Sequence, residues 1–152
     1  HAALYCSERG VLVSGDMLLP RISTNISVSP GEPDGDPLQR FLDSLSRFEA
    51  LPPDTLVLPS HGLPFRGIAL RVAQLRAHHH ARLAELEDFI RDAARPVSAA
   101  QVLPVLFRRK LDTQQLSFAM GEAIAHLNHL WHRRRVERIG APDHAILFGI
   151  PT

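Results

Sequence analysis

Thr55-Leu56-Val57-Leu58-Pro59-Ser60-His61-Gly62 decides how this chain is read. Thr55–Leu58 is a short aliphatic run bounded by prolines, so it reads as a buried strand. The loop just past it delivers an imidazole, His61. A second segment has the same design: Val11-Leu12-Val13-Ser14-Gly15-Asp16 is an apolar strand ending in a carboxylate. Parallel or mixed sheets with covered faces hold ligands in the loops beyond their strand ends. Neutral imidazole is a common zinc ligand, and a carboxylate can span two cations about 3.5–4 Å apart. Asp16 and His61 are therefore the candidate metal ligands. An Asp after Gly also serves turns, and a loop histidine also bonds backbone. The pairing of the two motifs favours the ligand reading.

Residues 2–6 and 11–14 read as two strands joined by Ser7-Glu8-Arg9-Gly10, a turn in which Gly supplies a positive φ at little cost. Residues 17–36 hold many turn formers and read as loop. Asp36 can cap a helix with Pro37 at its first position. Leu38, Phe41, Leu42, Leu45 and Phe48 then recur at helical spacing, and Pro52-Pro53 stops the run. After the His61 loop comes a long helix with the stripe Ile68, Val72, Leu75, His79, Leu83, Leu86 and Ile90. A boundary falls near Ala93–Pro96. Beyond it, Ser98 caps a short helix carrying Val102 and Leu106. Asp112 or Thr113 opens a longer helix. Two strands, 135–139 and 145–150, flank Gly140-Ala141-Pro142-Asp143. Leu116, Ile124, Leu127, Trp131 and Phe148 are expected to share the core of this last region.

Hydrophobic residues make up 45% and charged residues 22% of the 152, the balance of a folded globular chain. A net charge of +1 gives no global field toward nucleic acid or membrane. One cysteine excludes an internal disulfide and points to a reducing, cytoplasmic setting. Cys6 is expected to be an inert buried thiol. No apolar run approaches the roughly 20 residues of a membrane span. No signal peptide is apparent, and a start at His1 points to a fragment.

The strand-Ser-Gly-Asp and strand-Pro-Ser-His-Gly segments resemble the last two ligand motifs of the metallo-β-lactamase superfamily. That family carries an upstream H-x-H-x-D-H motif with most ligands of a two-metal site; the motif is absent here. His1-Ala2-Ala3-Leu4-Tyr5 looks like the tail of a Gly-His-x-x-x-His-hydrophobic pattern, in which His1 matches the non-ligand histidine. The resemblance implies a mixed α/β (α+β) fold. Residues 1–95 would be the C-terminal half of a lactamase-like αββα sandwich, and residues 96–152 a small winged-helix-like domain. It implies a parent hydrolase that uses zinc or other divalent cations against a small ester, thioester, lactone or phosphodiester. The chain alone is expected to be inactive and to hold no metal tightly, because most ligands lie upstream. The alternatives are a nucleic-acid-binding winged helix and a non-catalytic structural or dimerising core.

Other candidates carry less. Ser60 reads as a loop-shaping hydroxyl, since no Gly-x-Ser-x-Gly elbow is present. No catalytic side chain is assigned, and substrate-binding residues are unknown at this level. Ser23-Thr24-Asn25 reads as turn capping. His78, His79 and His80 point about 100° apart on a helix and cannot converge on one ion; His79 falls on the apolar stripe. His126, His129 and His132 read as a packed or solvated face. The basic clusters Arg108-Arg109-Lys110 and Arg133-Arg134-Arg135 with Arg138 predict only weak nucleic-acid binding, or a homodimer contact.

Overall fold

The computed structural model describes residues 2–140 and 145–151. Ten elements follow in order: β1 (Leu4–Cys6), β2 (Val11–Gly15), α1 (Pro37–Glu49), β3 (Leu56–Pro59), α2 (Ile68–Ala93), β4 (Val97–Ser98), α3 (Ala99–Leu106), α4 (Thr113–His132), β5 (Glu137–Ile139) and β6 (Leu147–Gly149). The chain forms two units. One comprises the residues through Thr24 together with Leu42–His78; the other comprises Asn25–Phe41 and the residues from His79 onward.

In the first unit the sheet order is β1-β2-β3. β1 and β2 form the expected hairpin, antiparallel with Leu4 opposite Val13, and Gly10 takes φ +59° in the turn. β2 and β3 run parallel, with Val11 opposite Leu56 and Gly15 opposite Pro59. The intervening α1 allows this, since parallel neighbours need a crossover. Leu12 and Val57 are buried, as are Leu42, Leu45, Phe48, Ile68, Val72 and Leu75 at the helical positions read from sequence. Cys6 departs from expectation: it is exposed, because every residue of edge strand β1 is exposed.

In the second unit Asp36 caps α1, its Oδ1 accepting from Gln39 N–H at 2.8 Å. α2 ends as Ala94 turns to φ 51°. His79, Leu83, Leu86 and Ile90 are buried, completing the predicted stripe. Ser98 stands at the N-cap of α3, where Gln101 Oε1 accepts from Ser98 N–H at 2.9 Å. Asp112 caps α4 by accepting from Gln115 N–H at 2.8 Å. β4 pairs with β6 and β6 with β5, giving the order β4-β6-β5. β4 adds to the elements read from sequence, because two residues leave no periodic signal.

Leu127 and Phe148 are buried as expected, and Ile124 is half-buried. Leu116 is not core; it is 44% exposed near the start of α4. Trp131 is only half-buried, with the Arg138 guanidinium 4.8 Å from its ring centroid. A cation over an aromatic face favours a position that keeps the charge near water. His1 and residues 141–143, read from sequence as lying between two strands, lie outside the described residues.

The histidines of α4 are structural. His126 Nδ1 donates to Glu122 O at 2.9 Å, so its Nε2 is the acceptor in the neutral ring. His79 Nδ1, 3.2 Å away, must then be the donor to it. His129 Nδ1 lies 3.1 Å from both carboxylate oxygens of Asp36, and His132 Nε2 donates to Asp34 O at 2.7 Å. These bonds, with Asn128 Nδ2 donating to Pro33 O and Gly35 O, tie the 33–36 loop to α4.

Candidate metal centre

Parallel pairing brings the C-terminal ends of β2 and β3 to one edge of the sheet. Asp16 follows Gly15, and His61 lies two residues past Pro59. Ser60 N–H donates to Gly15 O at 3.2 Å, which locks the two loop bases together. His61 Nε2 and Asp16 Oδ1 then stand 3.6 Å apart. Residues distant in sequence are thus brought together, as the motif spacing led one to expect.

Their surroundings fix the carboxylate more than the imidazole. Ser60 Oγ donates to Asp16 Oδ1, and Thr24 Oγ1 donates to Asp16 O. Ser14 Oγ donates to Leu18 O at 2.9 Å and Met17 N–H to Ser14 O at 3.0 Å, closing a tight turn around Asp16. Ser60 and Thr24 therefore shape the loop, as read from sequence. Gly62 adopts φ +86°, and an ideal Cβ there would lie 2.7 Å from Pro20 Cγ. Only glycine lets the two loops approach so closely. The side chains of His61 and Asp16 are 67% and 35% exposed, so both can meet an incoming ion.

The pair fits part of a metal site. Two donors sharing one tetrahedral ion at about 2.1 Å stand roughly 3.4 Å apart, close to the separation seen. Asp16 keeps lone pairs beyond those taken by Ser60. Among the described residues no third His, Cys, Asp or Glu joins them. Two donors alone would leave an ion mostly to water. His78 and His80 are exposed on α2, and His79 packs edge-on to Phe41 with centroids 5.6 Å apart.

A feature the sequence reading missed lies beside His61. Pro20, Arg21, Ile22, His61, Leu63 and Phe65 line a groove of about 500 Å³. The signal was available: large apolar residues sit in the very loops that carry the ligand motifs. Their loop position hid it, because no periodicity marks a groove wall.

Residues 83–150 match the family model described as the C-terminal domain of metallo-beta-lactamase-like proteins. The fold matches a solved beta-lactamase domain protein from Burkholderia ambifaria at 53% identity and TM-score 0.92, covering 99% of this chain and 44% of that one. It also matches a metallo-beta-lactamase family protein from Thermus thermophilus at 32% identity and TM-score 0.83, covering 99% and 45%. The chain thus spans less than half the length of these relatives. No curated protein matches it.

Proposed function

The chain belongs to the metallo-β-lactamase superfamily, as a C-terminal part of it, and from that premise we propose that Asp16 and His61 are two ligands of a metal-dependent hydrolase centre. The observation that carries this is the 3.6 Å approach of two metal-capable side chains at the shared end of parallel strands. When bound, zinc or another divalent cation polarises the scissile group and acidifies the attacking water. Asp16 supplies carboxylate oxygens, held in place by the Ser60 hydroxyl. His61 supplies imidazole Nε2 on the open side. The substrate is a small ester, thioester, lactone or phosphodiester. The remaining ligands come from an upstream segment, so the chain by itself binds no metal tightly and is inactive.

The exposed apolar face of the first sheet supports an αββα sandwich completed from upstream: Leu4 is 71% and Val13 48% exposed. We take 1–95 as the lactamase-like part and 96–152 as a winged-helix-like appendage. The run β4, α3, α4, β5, β6 after a long helix supports the latter, as does the strand order β4-β6-β5. A cytoplasmic setting follows from the lone cysteine.

The rival reading is a winged helix that grips nucleic acid. Much of its basic charge is already engaged: Arg108 pairs with Glu85, Arg135 with Glu87, and Arg138 with Asp34. Substrate shaping or homodimer contact therefore ranks ahead of nucleic-acid binding. Metal analysis of the full-length protein tests the hydrolase reading. Asp16→Asn and His61→Ala should each lower metal content and hydrolysis; unchanged metal content in both would refute it.

A further inference from the structure

We propose that the second unit carries a binding site of its own: the cavity between α3, α4 and β6 takes a small neutral aromatic molecule bearing one N–H or O–H donor. The cavity holds about 350 Å³, within the roughly 300–1,000 Å³ typical of small-molecule sites. All of its lining residues belong to the second unit, so it is separate from the loops that carry Asp16 and His61. Met120, Ile124 and Asn128 line it from one face of α4, spaced at i, i+4 and i+8. Phe148 of β6, itself 2% exposed, closes it from the sheet. Water displaced from such hydrocarbon walls contributes free energy to binding.

One polar atom sets the chemistry of the ligand. Asn128 is 1% exposed. Its Nδ2 donates to Pro33 O at 2.9 Å and to Gly35 O at 3.1 Å, which uses both amide protons and fixes the orientation of the amide. Its Oδ1 accepts from no described residue. Buried carbonyl oxygens are nearly always matched by a donor. In a cavity walled by Met120, Ile124 and Phe148, the matching donor comes from the ligand.

The charges around the cavity disfavour an ionic ligand. Among the described residues Arg138 is the one charged group in the lining. It is already engaged: its guanidinium donates to Asp34 and lies 4.8 Å from the Trp131 ring centroid. Ala99 and Ala100 line the cavity from the first turn of α3, whose free N–H groups carry partial positive charge. Asn128 Oδ1 brings partial negative charge. A cation is repelled by the first and a carboxylate by the second. A neutral ring suits both, its donor on Oδ1 and its π-electrons toward α3. The frame is also rigid. Phe148 pairs with Val97 on one side and with Arg138 on the other, and Gln101 Oε1 accepts from Ser98 N–H at the start of α3. A preformed cavity spares the ligand the cost of ordering its walls.

Calorimetric titration of the full-length protein with indole, benzofuran and sodium benzoate tests this. Indole and benzofuran share a shape, and only indole carries an N–H. Indole should bind roughly two- to tenfold more tightly than benzofuran, the net worth of one hydrogen bond. Benzoate should bind more weakly than indole. Ala100→Phe brings a ring into the cavity from an exposed position and should weaken both bicyclic compounds about tenfold or more. Asn128→Leu removes the acceptor and should leave indole and benzofuran equal. Asn128 also holds the 33–36 loop, so a melting curve accompanies that variant. If it fails to fold, the two compounds and Ala100→Phe still decide. Failure of indole to bind, equal affinity of indole and benzofuran for the unaltered protein, tighter binding of benzoate, or indole affinity untouched by Ala100→Phe would each overturn the proposal.

Discussion

Glu122 is half-buried on α4, and burial pushes its carboxyl up to about 7 even though Asn25 Nδ2 donates to it at 3.3 Å. In the unfolded chain the group titrates near 4.5. Between those values the folded state binds the extra proton, so stability falls as pH rises from about 4.5 to about 7. Glu122→Gln removes that penalty. It should stabilise the protein at pH 8 on the order of 2–3 kcal/mol and give no gain near pH 4. Denaturant titrations at both pH values check this; parallel profiles for the two proteins would exclude it. Nothing in the sequence singled out Glu122, because burial by tertiary packing raises its carboxyl and even its hydrogen-bond partner Asn25 lies 97 residues away. Gly62 follows His61 in the loop after β3, and its tight approach to Pro20 was likewise not read from sequence. Gly62→Ala places a Cβ against Pro20 at a left-handed φ and should cost about 1–2 kcal/mol. It should also lower metal retention in the full-length protein by disturbing His61. Wild-type melting and wild-type metal content in that variant would show that the close approach is dispensable.

At the scale of elements, local chemistry read well and partnership across the chain did not. Asp36-Pro37 announced the start of α1, and Asp36 does cap it. Its second partner, His129, lies 93 residues on and carries no local signature. Likewise the stripe of α2 is legible to the residue, whereas β4 exists only because β6 returns beside it. Leu116 fits the helical period of α4 yet stays 44% exposed, on a cavity wall shared with Leu103, Pro104 and Phe107 of the α3 end rather than in the core. Asp36 therefore links two elements through one carboxylate. Asp36→Ala removes a cap worth about 1 kcal/mol and leaves a buried imidazole N–H unmatched, costing a further 1–3 kcal/mol or so. Asp36→Asn retains a cap-capable oxygen and should lose only part of this. Equal losses in the two variants would mean that the bond to His129 contributes little.

At the scale of the whole chain, the strand sequences say more than the local fold uses. Val11-Leu12-Val13 and Leu56-Val57-Leu58 are apolar at consecutive positions, the pattern of strands buried on both faces. One face is buried through Leu12 and Val57, while the other leaves Val13 48% exposed opposite Leu4. Continuous apolar strands with a bare face imply a second layer. The sandwich proposed above would supply it, and on the proposed metal reading the segment that covers this face would also bring the further donors. Val13→Lys separates the two situations. In the isolated chain the lysine would point to water, and the cost should stay within about 0.5 kcal/mol. In a longer protein whose upstream half covers the sheet, the same change would bury a charge and cost several kcal/mol, on the order of 3–5. Chemical denaturation of both proteins measures the difference. Equal, small effects in the two would mean that this face stays open to solvent in the longer protein, and the upstream half would then have to reach Asp16 and His61 by another route.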